Sequence, residues 1–229
     1  GRCKALMIAS PANPTGRLVP LARMRQLLEV VAGAGGALIV DEIYQGLVYS
    51  DTRETALSLE QDNLFVVNSF SKFFGMTGWR LGWLVVPEEA VQGVTKLAQN
   101  LFIAPSTPAQ YAALAAFSDT AMQIHQNRAE QFMKRATMLT QGLQQLGFKI
   151  PVQPQGAVCL SVDVSNTGLP ALEVCHRLLE EFQVAVTPGE DFGANSNHAF
   201  VRFAFTTDEA SIELGLQRLQ TALQRWGVA

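Results

Sequence analysis

Leu64-Phe65-Val66-Val67-Asn68-Ser69-Phe70-Ser71-Lys72 is the stretch on which the reading of the whole chain turns. Its apolar run is too short for a helix and ends abruptly on polar residues, so 64–69 reads as a buried strand with chemistry at its end. The same form recurs upstream. Ala37-Leu38-Ile39-Val40 closes on Asp41-Glu42, and Leu6-Met7-Ile8-Ala9 closes on Ser10-Pro11-Ala12-Asn13-Pro14-Thr15-Gly16. Between the last two, Leu21, Met24, Leu27, Leu28 and Val31 follow helical spacing, and Gly33, Gly35 and Gly36 end that helix. Short apolar strands alternating with helices are the mark of a parallel α/β sheet. Leu81 to Val86 reads as a fourth strand. It follows the third after only about a dozen residues, too few for a parallel crossover, so it is expected to run antiparallel.

From Pro87 to about Leu146 the pattern is helical, with breaks near Pro105 and Pro108, and 119–146 reads as one long amphipathic helix. After Gly147 come a strand at 158–164, a helix at 171–182, strands at 184–187 and 199–205, and a helix at 211–226. The expected architecture is a three-layer α/β/α unit around a mainly parallel, mixed sheet, followed by a small α+β domain. The expected domains are 1–120 and 121–229, joined by the long helix.

Composition narrows the function classes. The chain has 229 residues, 48% hydrophobic and 16% charged, with a net charge of −3. Disorder needs the opposite balance. No basic cluster supplies the concentrated positive field that nucleic acid or an anionic membrane requires. No apolar run approaches the ~18–20 residues of a membrane span. Cys3, Cys159 and Cys175 form no paired motif, which points to a reducing cytoplasmic setting. His125, His176 and His198 lie far apart, so no metal site is expected.

Gly33-Ala34-Gly35-Gly36 fails as a dinucleotide loop because position 38 is Leu and a helix precedes it. Gly75 to Gly82 is no phosphate loop, since no Gly-Lys-Ser/Thr follows. The polar residues at the strand ends remain: Asn13, Asp41, Tyr44, Ser69, Ser71, Lys72, and Arg80 eight residues beyond. Open α/β sheets bind ligands at such ends. Singly, Asp41 could be a helix cap, Lys72 a solvated amine and Arg80 half of a surface ion pair. Together they are a carboxylate, a phenol, an amine, a guanidinium and hydroxyls at one sheet edge.

Four blocks in this order, Asn13-Pro14-Thr15-Gly16, Asp41-x-x-Tyr44, Ser69-x-Ser71-Lys72 and Gly78-x-Arg80-x-Gly82, together with Arg202 in Phe200-Val201-Arg202-Phe203, resemble the class I/II aminotransferases of fold type I. The resemblance runs from about residue 4 to the C-terminus and implies pyridoxal 5′-phosphate as cofactor. It implies that Lys72 forms a Schiff base with the cofactor aldehyde and moves the proton during transfer of an amino group between an amino acid and a 2-oxo acid. It casts Asp41 as the partner of the pyridine nitrogen, and Tyr44 and Asn13 as hydrogen-bond partners of the ring oxygen. Ser69, Ser71 and Arg80 are cast as phosphate ligands, and Arg202, with Asn13, as the clamp for the substrate carboxylate.

Glu42, Trp79 and Trp83 read as structural, and Glu190 and Asp191 are given no chemistry. The resemblance also implies that residues upstream of Gly1 complete the cofactor site, so the chain is expected to be a fragment, or the ordered part, of a longer homodimeric enzyme. Two alternatives stay open. One is a carbon–sulfur or β-lyase of the same fold. The other is a non-catalytic aminotransferase-like sensing domain of a transcription regulator.

Overall fold

Alternate side chains of a strand face opposite sides of its sheet, so register decides which residues share a face. The structure is a computed structural model and describes residues 3–49, 54–193 and 197–228. Its contacts divide it into two units, Gly1–Ala12 with Leu18–Ala129, and Asn13–Arg17 with Glu130–Ala229.

The first unit is built on a four-stranded sheet of β1 (Ala5–Ala9), β2 (Ala37–Asp41), β3 (Leu64–Ser69) and β4 (Gly82–Val85), in that order. β1, β2 and β3 are parallel, and β4 runs antiparallel to β3, as the short connection predicts. The register lines up Leu6, Leu38 and Leu64 in one row and Ile8, Val40 and Val66 in the next. On that face α1 (Leu21–Gly33) contributes Met24 and Leu28, and a short 3-10 turn adds Ala56 and Leu59. The opposite face aligns Met7, Ile39 and Phe65. It is covered less, and Met7 is 63% exposed, so the α/β layering is incomplete as expected.

Three helices follow: α2 (Glu88–Leu101), α3 (Thr107–Ala116) and α4 (Asp119–Gln145). The expected break holds at Pro105. Pro108 instead lies in the first turn of α3, where its missing N–H has no helical acceptor to lose. The division between the two units falls inside α4. Among the described residues no helix is long and apolar enough to cross a membrane.

The second unit carries β5 (Cys159–Asp163), α5 (Ala171–Phe182), β6 (Thr187–Pro188), β7 (Phe200–Ala204) and α6 (Glu209–Trp226). The sheet order is β5-β7-β6, all antiparallel. Leu160, Val162, Val201 and Phe203 are buried on one face, and the other face is left to Cys159, Ser161, Arg202 and Thr187. α6 starts on Asp208, whose carboxylate accepts the Ser211 N–H at 2.8 Å.

The strand expected at 184–187 is pared down to Thr187–Pro188. Gln183 takes a left-handed conformation with φ of 56°, and the Val184 N–H is spent on the Leu178 carbonyl, closing the end of α5. The expected boundary puts residues 13–17 in the first domain, yet they group with the second unit. The Gly16 carbonyl accepts the N–H groups of Gln155 and Gly156 at 2.9 and 3.1 Å. Gly16 has φ of +68°, and a Cβ there would lie 2.8 Å from the Gly156 oxygen, so only glycine serves.

Leu38 is fully buried at the centre of the first core. Leu38→Ala should lower stability by about 2–5 kcal/mol, seen as a drop in the denaturant midpoint at unchanged slope.

Candidate active site

Parallel strands end together, so β2 and β3 deliver their polar tails to one edge of the first unit. Asp41 closes β2. Its Oδ1 accepts the Ile43 N–H at 3.0 Å, which starts the turn that carries Tyr44. The next residue, Glu42, is buried, and its two carboxylate oxygens accept the Ala56 N–H at 2.6 Å and the Thr55 hydroxyl at 2.8 Å. Burial raises the Glu42 pKa, and those two hydrogen bonds oppose the rise without cancelling it. Tyr44 is buried, and its ring lies 5.6 Å from Lys72 Nζ.

The Lys72 segment is fastened on both sides. Phe70 N–H bonds to the Leu81 carbonyl, Met76 N–H to that of Phe70, and Gly75 N–H to that of Lys72. Thr77 Oγ1 donates to the Ser71 carbonyl at 2.6 Å. Phe73 packs so close to Gly46 that a Cβ on Gly46 would sit 2.5 Å from the ring. This contact joins the turn that bears Asp41 and Tyr44 to the turn that bears Lys72.

The Ser69 and Ser71 hydroxyls are 2.9 Å apart, and the Ser71 N–H donates to Ser69 Oγ at 3.0 Å. Ser69 lies opposite Gly82 across β3 and β4, where a Cβ on Gly82 would fall 2.7 Å from the Asn68 carbonyl oxygen. Just before it, Arg80 takes a left-handed conformation with φ of 53° and donates from Nη1 to the Thr77 carbonyl. Arg80 also lines a cavity of about 920 Å³ with Asn68, Trp79 and Trp83. Trp83 packs against Phe70 and Phe74, as read from sequence, whereas Trp79 is 47% exposed.

The second unit holds the other two residues read as functional. Arg202 Nη1 donates to Asn13 Oδ1 at 3.1 Å, and Nη2 to Thr187 Oγ1 at 3.1 Å. The Phe192 ring lies 5.0 Å below the guanidinium. Arg202 Nε is buried and has no hydrogen-bond partner among the described residues. Cys159 Sγ also reaches Asn13 Oδ1, at 3.6 Å. With its oxygen so occupied, Asn13 is left its amide hydrogens to offer.

None of the ion pairs among the described residues involves Asp41, Lys72, Arg80 or Arg202. Arg80 thus has no ion-pair partner among the described residues. Charges held on a framework without counter-charges suit charged ligands. No group of three or more His, Cys, Asp or Glu among the described residues could hold a metal.

The model for aminotransferase class I and II matches residues 1–219. The chain belongs to that family. It is 35% identical over 217 residues to a valine–pyruvate aminotransferase of Mycobacterium tuberculosis, an alignment covering 94% of this chain and 56% of the relative. It is 32% identical to an aspartate aminotransferase of Geobacillus stearothermophilus, covering 97% of this chain and 58% of that one. A solved aminotransferase from Mycobacterium tuberculosis superposes with a TM-score of 0.92 at 34% identity, covering 97% of this chain and 58% of the other. The chain thus spans little more than half the length of these relatives.

Class I and II aminotransferases depend on pyridoxal phosphate, and the donor set of the first unit fits that group. It offers an amine and a carboxylate that form no ion pair among the described residues, and a guanidinium in the same short stretch as two hydroxyls. Sequence reading missed Thr187, Phe192, Gly46 and Phe73, because each matters through a cross-strand or turn-to-turn contact that carries no local pattern. Gly46→Ala should drive its methyl into the Phe73 ring. The expected loss is about 1–3 kcal/mol in thermal or chemical unfolding, with a weakened response to added pyridoxal phosphate.

Proposed function

We propose that the protein is a pyridoxal-phosphate-dependent aminotransferase that moves an amino group between an amino acid and a 2-oxo acid, and that Lys72 anchors its cofactor. The observation that carries this reading is the Lys72 amine. It has no carboxylate partner among the described residues and is fastened beside Tyr44 in a chain of this family.

The cofactor, when bound, supplies an aldehyde that condenses with amines and a ring that withdraws electrons from the carbon being deprotonated. Released when the substrate amine takes its place, Lys72 Nζ would take the proton from the substrate α-carbon and later return one. Asp41 keeps a proton on the pyridine nitrogen, a charge-assisted contact worth ~1.5–3 kcal/mol. Tyr44 and Asn13 offer hydrogens to the ring oxygen. Ser69, Ser71 and Arg80 would hold the phosphate, the hydroxyls by hydrogen bonds and the guanidinium by a charge-assisted one.

Arg202 binds the substrate carboxylate. Its buried, unpartnered Nε and its contact with Asn13 support that role. A guanidinium with a buried, unpartnered nitrogen is costly to leave without an anion, so carboxylate binding would satisfy it.

The two domains are proposed to follow the two contact units. A homodimer is proposed as the working assembly. The exposed Leu97, Leu101, Phe102, Ile103, Tyr111 and Leu114 on and beside α2 and α3 support it, because so much apolar surface favours burial against another copy. Cytoplasmic localisation is proposed on the three free cysteines.

Two substitutions in the whole protein test the chemistry. Lys72→Ala should abolish the cofactor absorbance band that reports covalent attachment and cut turnover by at least ~10³-fold; unchanged turnover would remove Lys72 from the mechanism. Arg202→Ala should raise KM for α-carboxylate substrates by about 10–100-fold while leaving amines without a carboxylate nearly unaffected. Equal loss for both substrate types would show that Arg202 does not clamp the carboxylate.

A further inference from the structure

α4 carries His125, a buried imidazole that the proposed chemistry does not use. Its ring centroid lies 5.5 Å from that of Phe73 and 5.4 Å from that of Phe74, the two residues that follow Lys72. Phe74 in turn lies 4.9 Å from Phe70 and 5.2 Å from Phe117. His125 therefore closes an aromatic box with Phe117 and with Phe70, Phe73 and Phe74, which bracket Lys72 in sequence. Among the described residues neither of its ring nitrogens completes a well-aligned hydrogen bond, although the Ala116 carbonyl lies near enough to favour the protonated ring. For packing alone a phenyl ring would serve without leaving polar atoms unmet.

We propose that His125 is a positioning residue for Lys72, holding the 70–74 segment in place through Phe73 and Phe74 only while its ring is neutral. The bearing of this on catalysis rests on Lys72 being the attachment point argued above.

The electrostatics support the geometry. Burial lowers the His125 pKa below its ordinary value of 6.5, the Arg128 charge on the same helix adds to the lowering, and the Ala116 carbonyl opposes it. Among the described residues, α3 carries no charged side chain, and the segment that supplies Phe73 and Phe74 carries Lys72 next to Phe73 in sequence. Arg128 also caps the segment, its Nη1 lying where a Cβ on Gly75 would be. A ring that gains a proton must leave the box or draw water into it, and either frees Phe73 and Phe74.

The sign of the pH effect follows from linkage. The opened state binds a proton near pH 6.5, while the packed state binds one only at lower pH. The box is therefore complete above 6.5 and loosens as pH falls below it.

The test uses the whole protein. Amide-exchange protection of the peptide covering 70–76 is measured from pH 7.5 to 5.0 and corrected for intrinsic exchange. In parallel, added pyridoxal phosphate is trapped on Lys72 with borohydride. The wild-type protein should lose protection below pH 6.5 by up to about tenfold per pH unit, with trapping falling alongside. His125→Phe keeps the ring and removes the proton, so its protection should stay flat over that range. The same acid loss in His125→Phe would overturn the proposal. If that variant does not fold, the ring resonances of wild-type His125 decide. Titration below 6.5 together with loss of 70–76 protection supports the proposal, and titration at or above 6.5 with the segment unchanged defeats it. Protection that behaves as expected with no trapping at any pH would retain the positioning role and remove the Lys72 attachment instead.

Discussion

The approach of the Gly46 backbone to the Phe73 ring governs how near two separate turns can come. One turn follows β2 and bears Asp41 and Tyr44. The other follows β3 and bears Lys72. Parallel pairing of β2 and β3 brings their ends to the same edge, but pairing alone would leave the two loops free to splay. A side chain on Gly46 would meet the ring 2.5 Å away, so glycine is what lets the turns close. The placement of Tyr44 beside the Lys72 amine depends on that closure.

A second constraint is electrostatic. Proteins that bury or fix charges usually pair them, because an unpaired charge forfeits its hydration. Here the surface pairs obey that habit: Arg135 meets Glu209 and Arg177 meets Glu181. Among the described residues Lys72, Arg80 and Arg202 do not. Their neighbours are a tyrosine ring, a backbone carbonyl, and Asn13 with Thr187. Neutral neighbours orient a cation without cancelling it, which leaves its field for an anionic ligand.

The elements that strong periodicity or capping chemistry specifies were legible in the sequence. β1, β2, β3, α1 and α5 fall where apolar spacing and glycine place them, and the antiparallel β4 follows from loop length. At 184–187 the sequence suggests a longer strand than forms, because Val184 and Val186 look β-prone while the Val184 amide is claimed by the end of α5. Tertiary competition for one N–H leaves no mark in local composition. The grouping of Asn13–Arg17 with the second unit was illegible for a related reason, since it rests on two hydrogen bonds to Gly16 from residues far along the chain. Among the proposed site residues, types and spacing could be read. What could not be read was support: Thr187 and Phe192 around Arg202, and the aromatic box around the Lys72 segment.

Asp41 and Glu42 show how little residue type says without geometry. Two adjacent carboxylates close the same strand, and either could partner a ring nitrogen on chemistry alone. Glu42 has both oxygens engaged, by a backbone N–H at 2.6 Å and a hydroxyl at 2.8 Å, and burial biases it towards keeping its proton. It fastens the chain at Thr55 and Ala56 to the end of β2 and has no oxygen to spare. Asp41 commits only Oδ1, to the Ile43 N–H, and its backbone carbonyl accepts the Ser10 N–H. Alternation along the strand sends the two side chains opposite ways, so one serves the core and the other stays available. That asymmetry, more than the identity of either residue, is why the proposed ring contact falls to Asp41.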